Sequence, residues 1–377
     1  MTAPTRSAPN RPRTRRRRPL ARIIATAIAL VGVAGASPTM AVSQSETTDT
    51  AGSNGRGRSG GEFGSQPGSE TKRRPTRPEP SGDGSAGYLY HDGRYVPLDA
   101  VDGRTTVHLA INNRGQTAGA YLRSLDPLDY GSFVRDRRGR YTKIDVAPGP
   151  ATVIYDLNDR GTTVGAYGDA ATFEGGSFLR TPNGEVATVE VPGAPVADAK
   201  GINDRGTLVG NYLDADGRDH AYTMERGRVT DLVPPGSPAD AAKSNVIAFD
   251  VNDRGQVVGC FADINGTYHG YVYDQGQFTL IDPPGGADVP VLATTCAFGI
   301  NNHGHVVGQY VDATGALHGY RWQPTHGFET IDAPPGAPVV GITGIRGTTA
   351  VDITDRGDVL LTVGGGYFKG RTVPISA

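Results

Sequence analysis

The stretch Ala297-Phe298-Gly299-Ile300-Asn301-Asn302-His303-Gly304-His305-Val306-Val307-Gly308-Gln309-Tyr310 decides the fold. A short apolar run enters an Asn-Asn-His-Gly turn and a second apolar run leaves it. Asn caps such a turn with its own side chain and Gly accepts positive φ, so the segment reads as a tight β-hairpin. The turn recurs as Asn112-Asn113-Arg114-Gly115, Asn158-Asp159-Arg160-Gly161, Asn203-Asp204-Arg205-Gly206, Asn252-Asp253-Arg254-Gly255 and Thr354-Asp355-Arg356-Gly357. The six turn glycines are 46, 45, 49, 49 and 53 residues apart. A period in that range signals a repeat architecture.

Each period divides into four short strand-like runs, a to d. Strand a enters the turn and strand b leaves it. In five copies strand b has Gly four places and an aromatic residue six places after the turn glycine, as in Gly308 and Tyr310. Strand c is exemplified by His318-Gly319-Tyr320-Arg321-Trp322 and strand d by Phe328-Glu329-Thr330-Ile331, ended by Asp332 and Pro334-Pro335-Gly336. No segment keeps a helical period, and Gly (54) and Pro (27) are too dense for one. Six four-stranded units of this length predict an all-β, six-bladed β-propeller over residues 87–377. A β-solenoid is the rival arrangement. Four places before the turn glycine stands a large aliphatic residue in every copy. Seven places before it stands Ala in four copies, with His108 and Ile154 in the other two, so blades are expected to stack large against small.

The first stretch, Gly87-Tyr88-Leu89-Tyr90-His91-Asp92-Gly93-Arg94-Tyr95-Val96-Pro97-Leu98-Asp99, reads as a c–d hairpin with no a–b pair before it. The chain reaches its sixth a–b pair near Ile353 to Val363. The N-terminal c–d pair is therefore expected to complete the last blade and close the ring. Residues 366–375 resemble a shortened extra c–d pair that competes for that place or covers an edge.

Ahead of the repeats, residues 1–22 carry eight Arg and no acid, and an apolar run from Ile23 to Ala36 follows. Basic start, short apolar stretch and small residues describe a signal peptide over 1–41, with cleavage after Ala36 or Ala41. Arg16-Arg17 loosely resembles a twin-arginine signal; a Sec-type signal and an uncleaved anchor are the other readings. Residues 42–86 are Ser-, Gly-, Pro- and Arg-rich with almost no large apolar residue, the composition of a disordered linker. Export predicts a secreted, extracellular or envelope-associated protein with no stable membrane span in its mature chain, and a monomer. Residues 1–86 hold 14 Lys+Arg against 6 Asp+Glu, whereas residues 87–377 hold 23 against 33. An acidic, patchless repeat region argues against nucleic acid as partner, because phosphate binding needs clustered Lys and Arg.

The repeat resembles the HAF-repeat family of extracellular repeat proteins. The family triplet stands here as His220-Ala221-Tyr222, His269-Gly270-Tyr271 and His318-Gly319-Tyr320. Gly-Ile-Asn-Asp/Asn-x-Gly at 201–206 and 299–304, Val-Gly-x-Tyr at 209–212 and 307–310, and Phe-x-x-Ile-Asp at 278–282 and 328–332 accompany it. Tyr130-Gly131-Ser132-Phe133 and Gly175-Gly176-Ser177-Phe178 lack the His. The resemblance implies export and a repeat fold, and no established chemistry.

Candidate site residues fall into five sets. Five places before the turn glycine, Asp156, Asp250 and Asp352 alternate with Ala110, Gly201 and Gly299. On the innermost strands these acids either share a structural cation such as calcium in the axial channel or each hold a backbone donor of a neighbouring blade. His220, His269 and His318 occupy one position in successive blades and cannot converge on a single zinc, whose ligands must lie near 2 Å; each is expected to bond a neighbouring strand or loop. The b–c hairpins Asp214-Ala215-Asp216-Gly217, Asp263-Ile264-Asn265-Gly266 and Asp312-Ala313-Thr314-Gly315 faintly resemble calcium loops but lack a closing bidentate Glu. Asn265-Gly266-Thr267 is a glycosylation sequon where the source modifies such sites. Cys260 and Cys296, the only cysteines, fall in adjoining blades of an exported chain and are expected to form a disulfide.

No nucleophile elbow, zinc-protease helix, phosphate loop or dinucleotide fingerprint occurs, so no catalytic residue and no cofactor is assigned. The pattern favours a binding or adhesion module for carbohydrate or a cell-envelope polymer. The alternatives are a polysaccharide hydrolase or lyase using carboxylates on the face of the b–c and d–a loops, and a purely structural envelope protein.

Overall fold

The computed structural model describes residues 87–125, 128–146, 151–168, 175–237, 246–286, 295–334, 337 and 347–363. The expected signal peptide, the linker and the extra pair at 366–375 lie outside the described residues.

The chain opens with β1 (Gly87–His91) and β2 (Arg94–Leu98). Blade 1 follows as β3 (Thr106–Ile111), β4 (Thr117–Leu125), β5 (Leu128–Arg135) and β6 (Tyr141–Ile144). Blade 2 is β7 (Ala151–Leu157), β8 (Thr163–Gly168), β9 (Gly175–Arg180) and β10 (Val186–Val189). Blade 3 is β11 (Val196–Ile202), β12 (Leu208–Leu213), β13 (Asp219–Glu225) and β14 (Arg228–Leu232). Blade 4 is β15 (Ile247–Val251), β16 (Val257–Ala262), β17 (Tyr268–Asp274) and β18 (Gln277–Ile281). Blade 5 is β19 (Thr295–Ile300), β20 (Val306–Val311), β21 (Leu317–Gln323) and β22 (Gly327–Ile331). The chain returns through β23 (Thr348–Ile353) and β24 (Val359–Val363). Each of the six sheets is a four-stranded antiparallel meander. Strand a of every blade touches strand a of both neighbours around the full circle, so these strands line the axis. The protein is the expected six-bladed β-propeller.

The ring closes through the sixth blade, whose strand order is β2-β1-β24-β23. Tyr88 pairs with Leu361, Leu89 with Leu360 and Tyr90 with Val359. The first strands thus fill the outer half of the last blade, as their sequence phase requires. β24 is thereby paired on both sides rather than left as an edge.

The recurring words have packing causes. The strand-b glycine sits where a side chain has no room: a Cβ at Gly308 would lie 2.0 Å from the Cys296 carbonyl oxygen and 2.7 Å from the Tyr320 hydroxyl. The strand-c tyrosine crosses over that glycine, and its hydroxyl donates to a strand-a carbonyl. Tyr271 reaches Ile247 at 3.0 Å and Tyr320 reaches Cys296 at 3.2 Å. Large-on-small stacking also holds. Ala199, Ala248, Ala297 and Ala350 are fully buried, each clustered with the strand-b valine of the preceding blade: Val164, Val209, Val258 and Val307.

All six a–b pairs share one irregularity. The register slips by one residue after His108, Ile154, Ala199, Ala248, Ala297 and Ala350. The extra residues of these bulges are Leu109, Tyr155, Lys200, Phe249, Phe298 and Val351, and every one is buried. A bulge re-aims the residue that follows it, which here is the position of the alternating acids.

Candidate functional site

The acids Asp156, Asp250 and Asp352 are buried and act as staples between blades. One carboxylate oxygen accepts the next main-chain N–H of its own strand: Leu157, Val251 and Ile353, each at 2.7 Å. The other accepts a main-chain N–H of the following blade: Ile202 at 2.7 Å, Ile300 at 2.8 Å and Ile111 at 2.7 Å. The alternation with small residues is steric. A Cβ at Gly299 would lie 2.7 Å from the Asp352 Cα, and one at Gly201 2.8 Å from that of Asp250. Among the described residues, no group of three or more His, Cys, Asp or Glu is placed to hold a metal ion.

Above these staples the turn residues form two rings around a cavity of about 70 Å³. In the first, the side-chain amides of Asn112, Asn158, Asn203, Asn252 and Asn301 donate to the carbonyl of the equivalent residue in the next blade, at 2.9–3.1 Å. Thr354 is the sixth member. The second ring is Asn113, Asp159, Asp204, Asp253, Asn302 and Asp355. Asn302 donates from its amide to both Asp253 and Asp355, and Asn113 to both Asp159 and Asp355, at 3.0–3.1 Å. Asp204 has carboxylates on either side. Burial, then the fields of Asp253 and Asp159, raise its pKa above the ordinary carboxylate value.

The opposite face, which bears the b–c turns, carries a different constellation in blades 3, 4 and 5. Strand pairing sets an aromatic residue of strand b beside a histidine of strand c: Tyr212 with His220, Phe261 with His269 and Tyr310 with His318. The rings lie 4.8, 5.5 and 5.1 Å apart, at 10°, 36° and 27°. Two aspartates bracket each imidazole. For His318, Nδ1 lies 2.9 Å from Asp332 at the end of strand d, and Nε2 lies 3.3 Å from Asp312 in the b–c turn. For His220 the partners are Asp231 at 3.6 Å and Asp214 at 3.3 Å. For His269 they are Asp282 at 3.0 Å and Asp263 at 3.9 Å. The histidine side chains keep 22–24% of their surface exposed.

The chemistry of these brackets follows from their bonds. In each b–c turn the first Asp uses Oδ1 as a turn cap, accepting two main-chain N–H groups, as Asp312 does from Thr314 and Ala316 at 2.8 and 2.9 Å. This explains the faint calcium-loop pattern as turn chemistry. The main-chain N–H of Arg218 holds Asp214 below the ordinary carboxylate pKa, and the Thr314 hydroxyl followed by the Ala316 N–H does so for Asp312. Both stay anionic and serve as acceptors. Burial opposes a charge on His318, but the hydrogen bonds and fields of Asp332 and Asp312 outweigh it and raise its pKa. Blades 1 and 2 have glycine at the histidine position, and a Cβ at Gly131 would lie 2.4 Å from the Tyr121 ring.

The structure joins Cys260 of β16 to Cys296 of β19 in a disulfide, with Cα atoms 4.9 Å apart and 36 residues between them in sequence. The bond ties strand b of blade 4 to strand a of blade 5 inside a cluster with Phe249, Phe298 and Tyr268. The spacing aromatic-x-Asp-x5-His, present at 212–220, 261–269 and 310–318, is the sequence signal of the brackets. The six turns bring Arg114, Arg160, Arg205, Arg254, His303 and Arg356, all exposed, around one end of the axis. Among the described residues, no helix is long and apolar enough to cross a membrane.

No family model and no curated protein matches this chain. Among solved structures it is similar to the Aleuria aurantia lectin, a fungal six-bladed β-propeller with a fucose recognition mode. Identity is 11%, over 63% of this chain and 81% of the lectin, with a TM-score of 0.41. It is also similar to AofleA from Arthrobotrys oligospora, at 15% identity over 68% of this chain and 78% of that one, TM-score 0.41. TolB from Acinetobacter baumannii shares 14% identity over 67% of this chain and 64% of that one, TM-score 0.44. The architecture of the present chain stands on its own strand pairing.

Proposed function

We propose that this chain is a secreted binding module of the HAF-repeat kind that takes up carbohydrate at three equivalent platforms in blades 3, 4 and 5. The observation that carries the reading is the threefold repetition, on one face, of an aromatic-backed histidine between two carboxylates. A partly exposed imidazole backed by a ring offers a flat surface for the C–H face of a sugar, and the flanking carboxylates accept its hydroxyl hydrogens. Binding sites commonly combine apolar surface with a few placed polar groups in this way. Three weak sites on one rigid ring gain avidity for a polymer without any new contact. The signal peptide and the linker export the propeller and hold it at a distance from its point of attachment. Asp214 and Asp312, held below the ordinary carboxylate pKa, are poor general acids, which favours holding a glycan over cleaving it. The test is a panel of neutral polysaccharides offered to the purified full chain. Retention without product release supports binding, and released oligosaccharide supports the hydrolase or lyase alternative.

A further inference from the structure

The face opposite the histidine platforms gathers exposed basic residues from all six blades. Each a–b turn presents one basic residue beside the axis: Arg114, Arg160, Arg205, Arg254, His303 or Arg356. The mounts are rigid. The main-chain N–H groups of Arg114, Arg205, Arg254 and His303 donate to the turn asparagine two residues earlier at 3.0–3.1 Å. Those asparagines are themselves bonded to the next blade. The side chains run tangentially. The guanidinium of Arg205 passes over Gly255 and that of Arg254 over Gly304, so that a Cβ at either glycine would lie 3.0 Å from an Nη2.

The carboxylates of Asp159, Asp204, Asp253 and Asp355 line the cavity inside the crown, while the guanidinium groups stand exposed at its rim. Among the described residues, Arg114, Arg160, Arg205 and Arg254 form no ion pair, whereas Arg356 pairs with Asp358 at 3.4 Å and His303 lies 4.0 Å from Asp355. The neighbouring carboxylates Asp253 and Asp355 accept main-chain and Asn amide hydrogens across the blade boundaries, which fixes them inside the ring. The c–d turns of the same face add exposed Arg137, Arg138 and Arg226.

We propose that this crown binds an acidic polysaccharide, a saccharide chain bearing carboxylate or sulfate groups, laid across the a–b turns. Arginine's planar fork matches both anions in a bidentate way. Exposed guanidinium groups on fixed main-chain mounts, four of them without an ion pair among the described residues, need break few contacts to engage them. A single-stranded nucleic acid is the less suited polyanion, because it needs aromatic platforms for its bases. Among the described residues the exposed large apolar side chains are Val96, Val186, Val233, Ile264 and Leu280, none of them aromatic. The site is separate from the histidine platforms, so the module would engage two chemically different chains on its two faces.

The test uses the full chain with polygalacturonate, dextran sulfate and neutral dextran as probes, at low salt and at 0.5 M NaCl. We expect retention by one or both anionic chains, little by dextran, and loss of retention at high salt. Binding to polygalacturonate alone identifies a carboxylate ligand, and binding to both identifies the shared anion chemistry. Arg160→Gln, Arg205→Gln and Arg254→Gln together keep the backbone caps and should weaken binding about tenfold or more. Arg104→Gln with Arg218→Gln, away from the crown, should leave it unchanged, as should substitution of the three platform histidines. Equal binding by the triple variant, equal retention by neutral dextran, or tighter binding of a single-stranded oligonucleotide would each overturn the proposal. Where the triple variant does not fold, Arg254→Gln alone is measured against the same probes, and an unchanged affinity counts against it.

Discussion

The carboxylate of Asp250 in blade 4 accepts the main-chain N–H of Ile300 in blade 5 at 2.8 Å while its other oxygen accepts that of Val251 at 2.7 Å. One buried side chain thus satisfies two donors that the strand-a bulges and the close approach of the blades would otherwise leave unmet. The same geometry at Asp156 and Asp352 links blade 2 to blade 3 and blade 6 to blade 1.

Asp250→Asn should therefore lower stability by about 2–4 kcal/mol. The amide that replaces one oxygen cannot accept, and it leaves a buried donor unpaired. Urea denaturation of the two proteins measures the difference. Because the carboxylate oxygens already hold main-chain donors, a chelator should leave the melting temperature of the parent unchanged. A chelator-induced drop that is absent from the Asn variant would instead establish a shared cation.

The ring closes through pairs such as Tyr88 with Leu361. A chain beginning at residue 104 lacks β1 and β2, exposes β24 as an edge and opens the packing around Val359 and Leu361. Its melting temperature should fall well below that of a chain beginning at residue 87. Removing residues 42–86 alone should leave stability unchanged. Equal melting of the two shortened chains would refute closure by the N-terminal strands.

Acid should loosen the blade 6–blade 1 seam. His108 is fully buried, with Nδ1 3.0 Å from the Thr117 hydroxyl and its ring against Phe133 and Tyr141. Burial, and then the charge of Arg135, lower its pKa to about 3 against a small opposing pull from the Asp99 backbone. The folded-state value lies below the unfolded one near 6.5. The contribution is therefore complete above pH 6.5 and is lost as pH falls towards 3, amounting to roughly 4–5 kcal/mol over that interval. His108→Ala, which installs the residue found at this position in four other blades, should flatten the stability–pH curve between pH 6.5 and 3. An unchanged slope would count against a buried neutral imidazole.

The Cys260–Cys296 bond closes a loop of 36 residues. In the chain-entropy model its reduction should cost roughly 3–4 kcal/mol. Thiol titration in denaturant without reductant should find no free thiol. Cys296→Ser should melt earlier than the parent, and by as much as the reduced protein does.

The propeller is legible in the sequence because every blade must satisfy the same constraints at the same places. Gly308 has to be small under Tyr320, and Asn301 has to cap its turn and reach Thr354, so these residues recur at a fixed period. The histidine brackets are only half legible. Tyr310, Asp312 and His318 keep a constant spacing, but Asp332 joins them through the return of strand d, and its distance along the chain varies between blades. The arginine crown is invisible to a reading along the chain. Its members stand a whole repeat apart, and only closure of the ring brings them together.

Carbohydrate capture by the platforms of blades 3, 4 and 5 is most directly tested by titrating the full chain with the neutral polysaccharide best retained from the panel. The comparison is with variants carrying one, two and three of His220→Ala, His269→Ala and His318→Ala. The account predicts stepwise loss of affinity with each substitution, little change in melting temperature and no released sugar. Undiminished affinity in the triple variant, or no retention of any neutral polysaccharide by the parent, would contradict it.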